Sequence, residues 1–226
     1  MSRANAERII CSDGWLSHMS EAFRRDLLQH ALLLKFEPDT TIFRPGDPMG
    51  GIYGLVSGTV RVNTAPLDST PRLIHIGLPG AWTGEDSFMT GDPRRIELRT
   101  VSETWLMHVP LETMERLTAR DPNIIRAFGV ISILSSDVLL RVVHDLQKKD
   151  ASERIASVLH RMAWTTDVAI PLSQDSLGAM ANASRKQVNM AIQRFTAAGW
   201  VERGYRSVII RDILALREYA EREDAG

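Results

Sequence analysis

The sequence contains little cysteine, few aromatic residues and almost no net charge. Cys11 is the only cysteine among 226 residues, and aromatic residues make up 6% of the chain. A single cysteine excludes a scaffold held together by disulfides. The 27 basic and 28 acidic residues give a net charge of −1, so the composition indicates neither a disordered chain nor a strongly basic one. The remaining class is an ordinary globular protein.

Long hydrophobic runs are also missing. Apolar stretches such as Ala31 to Leu34 fall far short of the roughly 18 residues that a membrane-spanning helix needs, so we expect no membrane partner. The first ten residues include Arg3, Glu7 and Arg8 and lack an apolar core, so we expect no signal peptide. A cytoplasmic protein is predicted.

The stretch from Leu33 to Val109 is rich in glycine, proline and threonine, with short apolar alternations between turn signals such as Pro45-Gly46 and Pro79-Gly80. Short strands at a spacing of about 8–12 residues are typical of a β-sandwich or barrel. We therefore expect residues 1–120 to form a β domain with flanking helices.

A long helix is predicted over residues 121–149. Asp121 and Pro122 suit the N-cap and the first helical position. Apolar residues then recur every three or four positions, at Ile131, Leu134, Val138, Val142 and Leu146. Leu139, Leu140 and Val143 widen the apolar face beyond what a monomer's surface helix carries. We predict a homodimer built on this helix; the alternative is a helix packed only on its own β domain.

Residues 150–226 carry the pattern of two short helices joined by a tight turn, which is a helix-turn-helix. Ser173 and Ser184 are N-cap residue types, and Asn182 tolerates the left-handed backbone of a sharp turn. Gly178 is small where the second helix must pass closely. The predicted buried residues are Leu177, Met180 and Ala181 in the first helix and Val188, Ala191, Ile192 and Phe195 in the second.

The second helix presents polar residues from its first turns, which in a helix-turn-helix enter the major groove of DNA. Arginine suits guanine, and glutamine or asparagine suits adenine. The predicted DNA-binding residues are Ser173, Gln174, Ser184, Arg185, Lys186, Gln187, Asn189, Met190, Arg203 and Arg206. A helical hairpin with a polar outer face is the alternative for this segment alone.

The sequence after the second helix favours the DNA-binding interpretation. Segments 200–203 and 207–210 flank Gly204-Tyr205 and predict a β-hairpin, so the domain is a winged helix-turn-helix with Arg203 and Arg206 near phosphates. Asp212 can cap a final helix. From Ser184 to Arg211 there are six basic residues and one acidic residue, so the near-neutral total averages a basic segment with an acidic remainder.

Together these features resemble the Crp/Fnr family of transcription regulators over nearly the whole chain. The resemblance rests on the β zone with Gly54-Leu55-Val56-Ser57-Gly58, the long helix, the hinge from Asp150 to Ala156, and Ser184-Arg185 with Val188. It implies an α+β fold: an antiparallel β-roll, a dimerisation helix with hinge over 121–149, and a DNA-binding domain over 150–226. It also implies a palindromic DNA operator, with an effector signal passing from the roll to the recognition helices.

The recognition helix of this chain departs from the family's pattern at two points. Where the family's recognition helix has Arg-Glu-Thr, this chain has Arg185-Lys186-Gln187, and Met190 replaces an arginine common in the cyclic-AMP receptor. Replacing glutamate by lysine exchanges a cytosine acceptor for a guanine donor, so a different half-site is expected.

The effector is left open by the sequence. Gly84-Glu85, with Arg95 ten residues after Glu85, resembles the family's phosphate-binding cassette, but Ile96 and Glu97 follow where the family has a hydroxyl residue and alanine. The candidate pocket comprises Gly84, Glu85, Arg94, Arg95, Leu139 and Leu140. A cyclic nucleotide is one alternative, and an ion pair between Glu85 and Arg95 in an empty roll is the other.

Other chemistries are not favoured by the residues present. The family's iron–sulfur members need several N-terminal cysteines, and this chain has only Cys11. A haem sensor needs an axial ligand, and His75 is the only candidate among the histidines of the predicted strands. No convergent catalytic set is visible, so no enzyme is predicted. A cyclic-nucleotide-binding module that acts on protein partners is the alternative function. RNA polymerase is a further candidate partner. The Thr165–Ala169 connector is shorter than the loop through which the cyclic-AMP receptor contacts RNA polymerase, so the resemblance leaves activation open.

Overall fold

A computed structural model describes residues 1–64, 71–162, 167, 169–204 and 207–222. The chain forms two compact units, Met1–Val138 and Leu139–Gly226. The division falls inside the segment 121–149 that the sequence assigns to dimerisation, and the three functional domains predicted from the sequence stay a prediction. The α+β architecture itself, with a β domain, a long helix and a helix-turn-helix domain in this order, is confirmed.

The first unit contains two antiparallel four-stranded sheets, with strand orders β1-β8-β3-β6 and β2-β7-β4-β5. The strands are β1 Leu32–Phe36, β2 Thr41–Phe43, β3 Ile52–Ser57, β4 Val60–Thr64, β5 Arg72–Gly77, β6 Trp82–Thr83, β7 Glu97–Thr100 and β8 Thr104–Val109. Leu55 of β3 lies opposite Leu106 of β8. Burial alternates along β7, so one face of this strand is turned toward the core.

Four helices flank these sheets: α1 Arg3–Ser12, α2 Glu21–Leu28, α3 Glu85–Thr90 and α4 Leu111–Arg120. Trp15, which is 1% exposed, lies at the centre of the main core and contacts Phe23, Trp82 and Phe128 edge-on or tilted. Its indole nitrogen donates to the Ala127 carbonyl at 2.6 Å. This aromatic cluster therefore forms part of the main core of the first unit.

The long helix begins as the sequence predicts. The Asp121 side chain accepts from the Asn123 amide at 3.0 Å, Pro122 opens a 3-10 turn, and α5 then runs over Ile125–Gln147. By length and composition, the helical segment Pro122–Gln147 could cross a membrane. This finding corrects the expectation that no apolar segment approaches that length.

The second unit contains four more helices and a small sheet. The helices are α6 Ala151–Met162, α7 Gln174–Ala181, α8 Arg185–Ala197 and α9 Ile213–Ala220, and the strands are β9 Ala169–Ile170, β10 Val201–Gly204 and β11 Ser207–Ile210. The hairpin of β10 and β11 is the predicted wing. Strand β9, which the sequence assigns to a connector, pairs with β11 as a third strand. Two residues are too few to show a strand period.

Candidate nucleic-acid interface and effector cassette

The helix-turn-helix has the caps that its sequence predicts. Ser173 accepts from the Ser176 amide at 3.0 Å and begins α7. Asn182 ends it in the left-handed region, with φ 46° and ψ 53°. A Cβ on Gly178 would lie 2.7 Å from the Ala183 carbonyl oxygen, so only glycine lets the turn close against α7. All seven residues predicted to be buried in α7 and α8 are buried.

The first turn of α8 separates capping residues from exposed ones. Ser184 and Gln187 form a capping box in which the Gln187 amide oxygen accepts from the Ser184 backbone N–H at 2.8 Å and from its hydroxyl at 2.9 Å. Arg185 and Lys186 are exposed, and Met190 is 56% exposed. Within the described part of the chain, neither Arg185 nor Lys186 has a salt bridge. Both cations are therefore available to a ligand.

The remaining predicted contacts are less uniform. Ser173, Gln174 and Asn189 are half-buried, while Arg203 in β10 is exposed, with one guanidinium nitrogen 3.5 Å from the Asn189 carbonyl oxygen. This contact places the wing beside the recognition helix. Arg206 lies outside the described residues.

Two of the basic residues counted in the sequence serve the fold. Arg211 forms ion pairs with Asp167 and Glu202, and Arg194 donates to the Tyr219 hydroxyl. The basic surface at the start of α8 and in the wing is thus smaller than the residue count suggests.

In the first unit, the segment resembling a phosphate-binding cassette is filled by an arginine. Gly84, with φ 101°, precedes α3. The Arg94 guanidinium donates to the Gly84 carbonyl at 2.7 Å and to the Gly51 carbonyl at 2.6 Å. It also lies 4.5 Å from the centre of the Phe43 ring, a cation–π distance. A Cβ on Gly50 or Gly84 would approach the guanidinium to 2.7 or 2.6 Å, so the glycines form a cradle that Arg94 occupies.

Glu85, the first residue of α3, faces the long helix. It is 5% exposed, and its carboxylate accepts from the Ser132 hydroxyl at 2.9 Å. Burial raises the pKa of this carboxyl above its ordinary value, and the Ser132 hydrogen bond and the charge of Arg94 offset only part of that effect. The contact joins the cassette to α5 within the first unit.

The sequence gives Arg95 the phosphate-binding position, but in the structure Arg94 is buried and Arg95 is exposed. A shift of one residue in an extended segment moves a side chain to the opposite face. No salt bridge joins Glu85 to either arginine among the described residues. Leu139 and Leu140, in the second unit, are 48% and 66% exposed.

A cyclic nucleotide does not fit the cassette as it stands. Its phosphate needs an accessible guanidinium and neighbouring donors, but Arg94 is 4% exposed and bound to two carbonyls. The half-buried Ile96 packs against the apolar cluster around Phe43 and Leu98. Arg94 and Ile96 are therefore already engaged with the protein, whereas Arg95 is exposed.

His75 is not the only histidine in a strand of the first unit, so the expectation of a single candidate is wrong. His108 also lies in a strand, β8, and stacks on Tyr53 with ring centres 4.4 Å apart. Burial and the nearby charge of Arg94 lower the pKa of His108. No group of three or more potential metal-ligating side chains occurs within the described ranges.

Sequence reasoning also missed Ser132 and Arg154. Arg154 donates to four backbone carbonyls in the second unit. A serine within an apolar helix and an arginine early in an amphipathic one are weak signals, because both are common on solvated faces.

Two family models match the chain. The cyclic nucleotide-binding domain matches residues 33–121, and the Crp-like helix-turn-helix domain matches residues 153–219. The CRP-like protein Clp of Xanthomonas campestris pv. campestris is 25% identical over 196 residues, covering 81% of this chain and 85% of that protein.

Solved structures show the same fold. FixK2 from Bradyrhizobium japonicum superposes with a TM-score of 0.73 at 21% identity, covering 85% of this chain and 98% of that one. The c-di-GMP-responsive global regulator CLP of Xanthomonas campestris gives a TM-score of 0.64 at 22% identity, covering 85% and 99%. These relatives are regulators rather than enzymes. With both family models matched in the expected order around a long helix, the chain belongs to the Crp/Fnr family of DNA-binding transcription regulators.

Proposed function

We propose that this regulator acts as a homodimer that reads a palindromic operator with two α8 helices. The observation that carries the proposal is the first turn of α8, where Arg185 and Lys186 are exposed without salt bridges in the described chain. Two such helices related by a two-fold axis would enter successive major grooves about 34 Å apart. Matched family domains support DNA binding itself; the dimer and the operator symmetry are inferences from the helix and from this spacing.

The long helix supplies the proposed dimer contact. Large apolar side chains along α5 are exposed in the single chain: Ile133 by 63%, Leu140 by 66% and Val143 by 56%. Ile133 and Leu140 are seven residues apart, which is the spacing of a helix–helix seam. Burial against a second copy removes this apolar surface from water, and an isologous contact does so for both copies at once.

The same helix argues for a cytoplasmic rather than a membrane-bound protein. Asp145 in its last turns is 6% exposed and pairs with Arg161 of α6. Asp137 and Arg141 lie in the same helix and are exposed, and charged side chains inside a bilayer are costly. A partner helix accounts for the exposed apolar face without a membrane.

For base readout we assign Arg185 and Lys186 to the base edges and Arg203 to phosphate. Arginine and lysine both donate to guanine O6 and N7, so the half-site is expected to be rich in guanine. Gln187 is given a different role from the one predicted by sequence, because its amide oxygen holds the capping box. Asn189 and Met190 follow on the helix and complete the proposed reading surface.

Selection of bound duplexes from a random library by the purified protein tests this proposal. We expect a palindrome with a guanine-containing half-site, different from that of the cyclic-AMP receptor. Arg185→Ala should lose about 1–3 kcal/mol of binding free energy and relax one position. Arg217→Ala in α9, an exposed arginine paired with Glu221, is the matched control. Recovery of the cyclic-AMP-receptor half-site, or unchanged binding by Arg185→Ala, would contradict the assignment.

For the effector we propose a route through the contact between Glu85 and Ser132, which joins α3 to α5. The c-di-GMP responsiveness of one structural relative and the cyclic nucleotide-binding domain model make nucleotides the ligands to test. Because Arg94 already binds Gly51 and Gly84, we expect no calorimetric heat from cyclic AMP or cyclic GMP at micromolar concentrations. Tight binding of either would show that the cradle opens and would refute this expectation. Recruitment of RNA polymerase stays a prediction.

A module that acts only on protein partners was the alternative function. The exposed cations of α8, together with the match of residues 153–219 to the Crp-like helix-turn-helix domain, favour DNA as the partner. A gel shift with genomic fragments at stated salt separates the two functions.

A further inference from the structure

One arginine joins two helix ends within the second unit. Arg154 of α6 donates to the carbonyls of Lys148 and Lys149, at 2.6 and 3.1 Å. It also donates to the carbonyls of Ala181 and Asn182, at 2.8 and 3.1 Å. The first pair directly follows α5, and the second pair is the last residue of α7 and its C-cap, which opens the turn to α8.

All four carbonyls lie at the C-terminus of a helix or just past it. The last carbonyls of a helix have no partner within it and carry the negative end of its dipole. A guanidinium is always charged and presents five donors in a planar fork, so the one side chain can satisfy two helix ends together. A lysine ammonium is a point charge that can reach one of the ends but has no fork to bridge both.

A second cluster of polar contacts holds the same end of α5. The Asp145 carboxylate accepts from the Ser157 hydroxyl at 2.6 Å and pairs with Arg161. Lys148 lies 3.4 Å from the same carboxylate and donates to the Ala220 carbonyl at 2.6 Å. The last turn of α5 is therefore bonded to α6 and α9, and through Arg154 to the turn before the recognition helix.

We propose that Arg154 is a positioning residue for DNA recognition, one that fixes the start of α8 relative to the end of α5. Ser184 and Arg185 follow the clamped Asn182 by two and three residues, so a displaced turn displaces the reading surface. The segment around Lys149, which the sequence analysis predicts to be a hinge, then transmits a displacement of the end of α5 to the start of α8 instead of absorbing it. This inference rests on the proposed reading of DNA by α8.

The test compares specific with non-specific DNA affinity. Arg154→Lys keeps the charge but loses the fork, and Arg217→Lys is the matched control on α9. The probes are a duplex selected by the wild-type protein and an unrelated duplex of equal length, at one salt concentration. For Arg154→Lys we expect affinity for the selected duplex to fall at least about tenfold, which corresponds to the loss of roughly one charged hydrogen bond. Affinity for the unrelated duplex should stay within about twofold of the wild-type value, since phosphate contacts dominate non-specific binding.

Other results would overturn the inference. An equal fall on both duplexes indicates a smaller folded fraction, which is a purely structural role, and no change on either indicates that Arg154 does not position α8. Hydrogen exchange without DNA gives an independent measurement. The Ala183 and Ser184 amides should exchange faster in Arg154→Lys and unchanged in Arg217→Lys; unchanged exchange in Arg154→Lys would refute the clamp. If the wild-type protein selects no duplex, the proposed operator reading fails, and the exchange result still decides the clamp.

Discussion

Leu140→Glu is expected to convert the protein from a dimer to a monomer. Leu140 is 66% exposed in the single chain, although it lies in the middle of an apolar face of α5. In the proposed dimer this side chain is buried against the partner helix. The substitution therefore places two carboxylates where two leucines would otherwise lose contact with water.

The size of the effect follows from the exposed area. An exposed fraction of 66% corresponds to on the order of 100 Å² of apolar surface per copy, or about 2–3 kcal/mol at about 25 cal/mol per Å². Two copies lose about 5 kcal/mol, and burying two like charges adds a desolvation cost of several kcal/mol. The dimer dissociation constant should rise by at least about a thousandfold.

Sedimentation velocity over a range of micromolar concentrations measures this change directly. Arg141→Glu is the matched control, because it introduces the same carboxylate one residue further along, at an exposed position outside the proposed seam. We expect Arg141→Glu to remain a dimer and Leu140→Glu to sediment as a monomer with weakened operator binding. The reasoning is refuted if Leu140→Glu sediments like the wild-type protein, or if both variants dissociate equally.

Three other substitutions test the first unit and the helix-turn-helix. Arg94→Met should lower the free energy of unfolding by about 3 kcal/mol, because two charged hydrogen bonds are lost. Arg95→Met, at an exposed position, should change it by less than about 0.5 kcal/mol. Equal effects of the two substitutions in urea titrations would show that the buried cradle is not structural. Burial raises the pKa of Glu85, so the native state keeps this proton to a higher pH than the unfolded chain does. Stability therefore falls as pH rises from about 4.5 through the raised pKa. Glu85→Gln should remove this pH dependence, and a dependence that survives would assign it to other groups. Gly178→Ala should destabilise the domain by about 1–3 kcal/mol, since its Cβ would lie 2.7 Å from the Ala183 oxygen; an unchanged melting temperature would show that the turn adjusts freely.

The DNA-binding domain was predictable because its signals are local. Ser173, Asn182, Ser184 and Asp212 all cap the helices that their residue types suggest. A cap depends on hydrogen bonds over three or four residues, and a buried helical face depends on a period of 3.6. Both can be read in a short stretch of sequence without knowledge of the rest of the fold.

The cassette was less predictable because its partners are distant in sequence. Arg94 and Arg95 are adjacent and chemically identical, so motif spacing alone did not distinguish them. Their roles depend on which one meets the carbonyl of Gly51, 43 residues away. The charge pattern likewise did not show which basic residues are available to DNA, since Arg211 contributes to the basic count but is paired with Asp167.

The order of the parts, the caps of the helix-turn-helix and the apolar character of the long helix could all be predicted, because they follow from residue type and short-range periodicity. The folded structure was needed to show that Arg94 fills its own cradle and that Arg154 joins two helix ends, because Gly51 and Ala181 are distant from these arginines in the sequence. In both cases the guanidinium group could bind several different hydrogen-bond acceptors. Burial selected among them, since a buried donor or acceptor without a partner costs more free energy than one facing water.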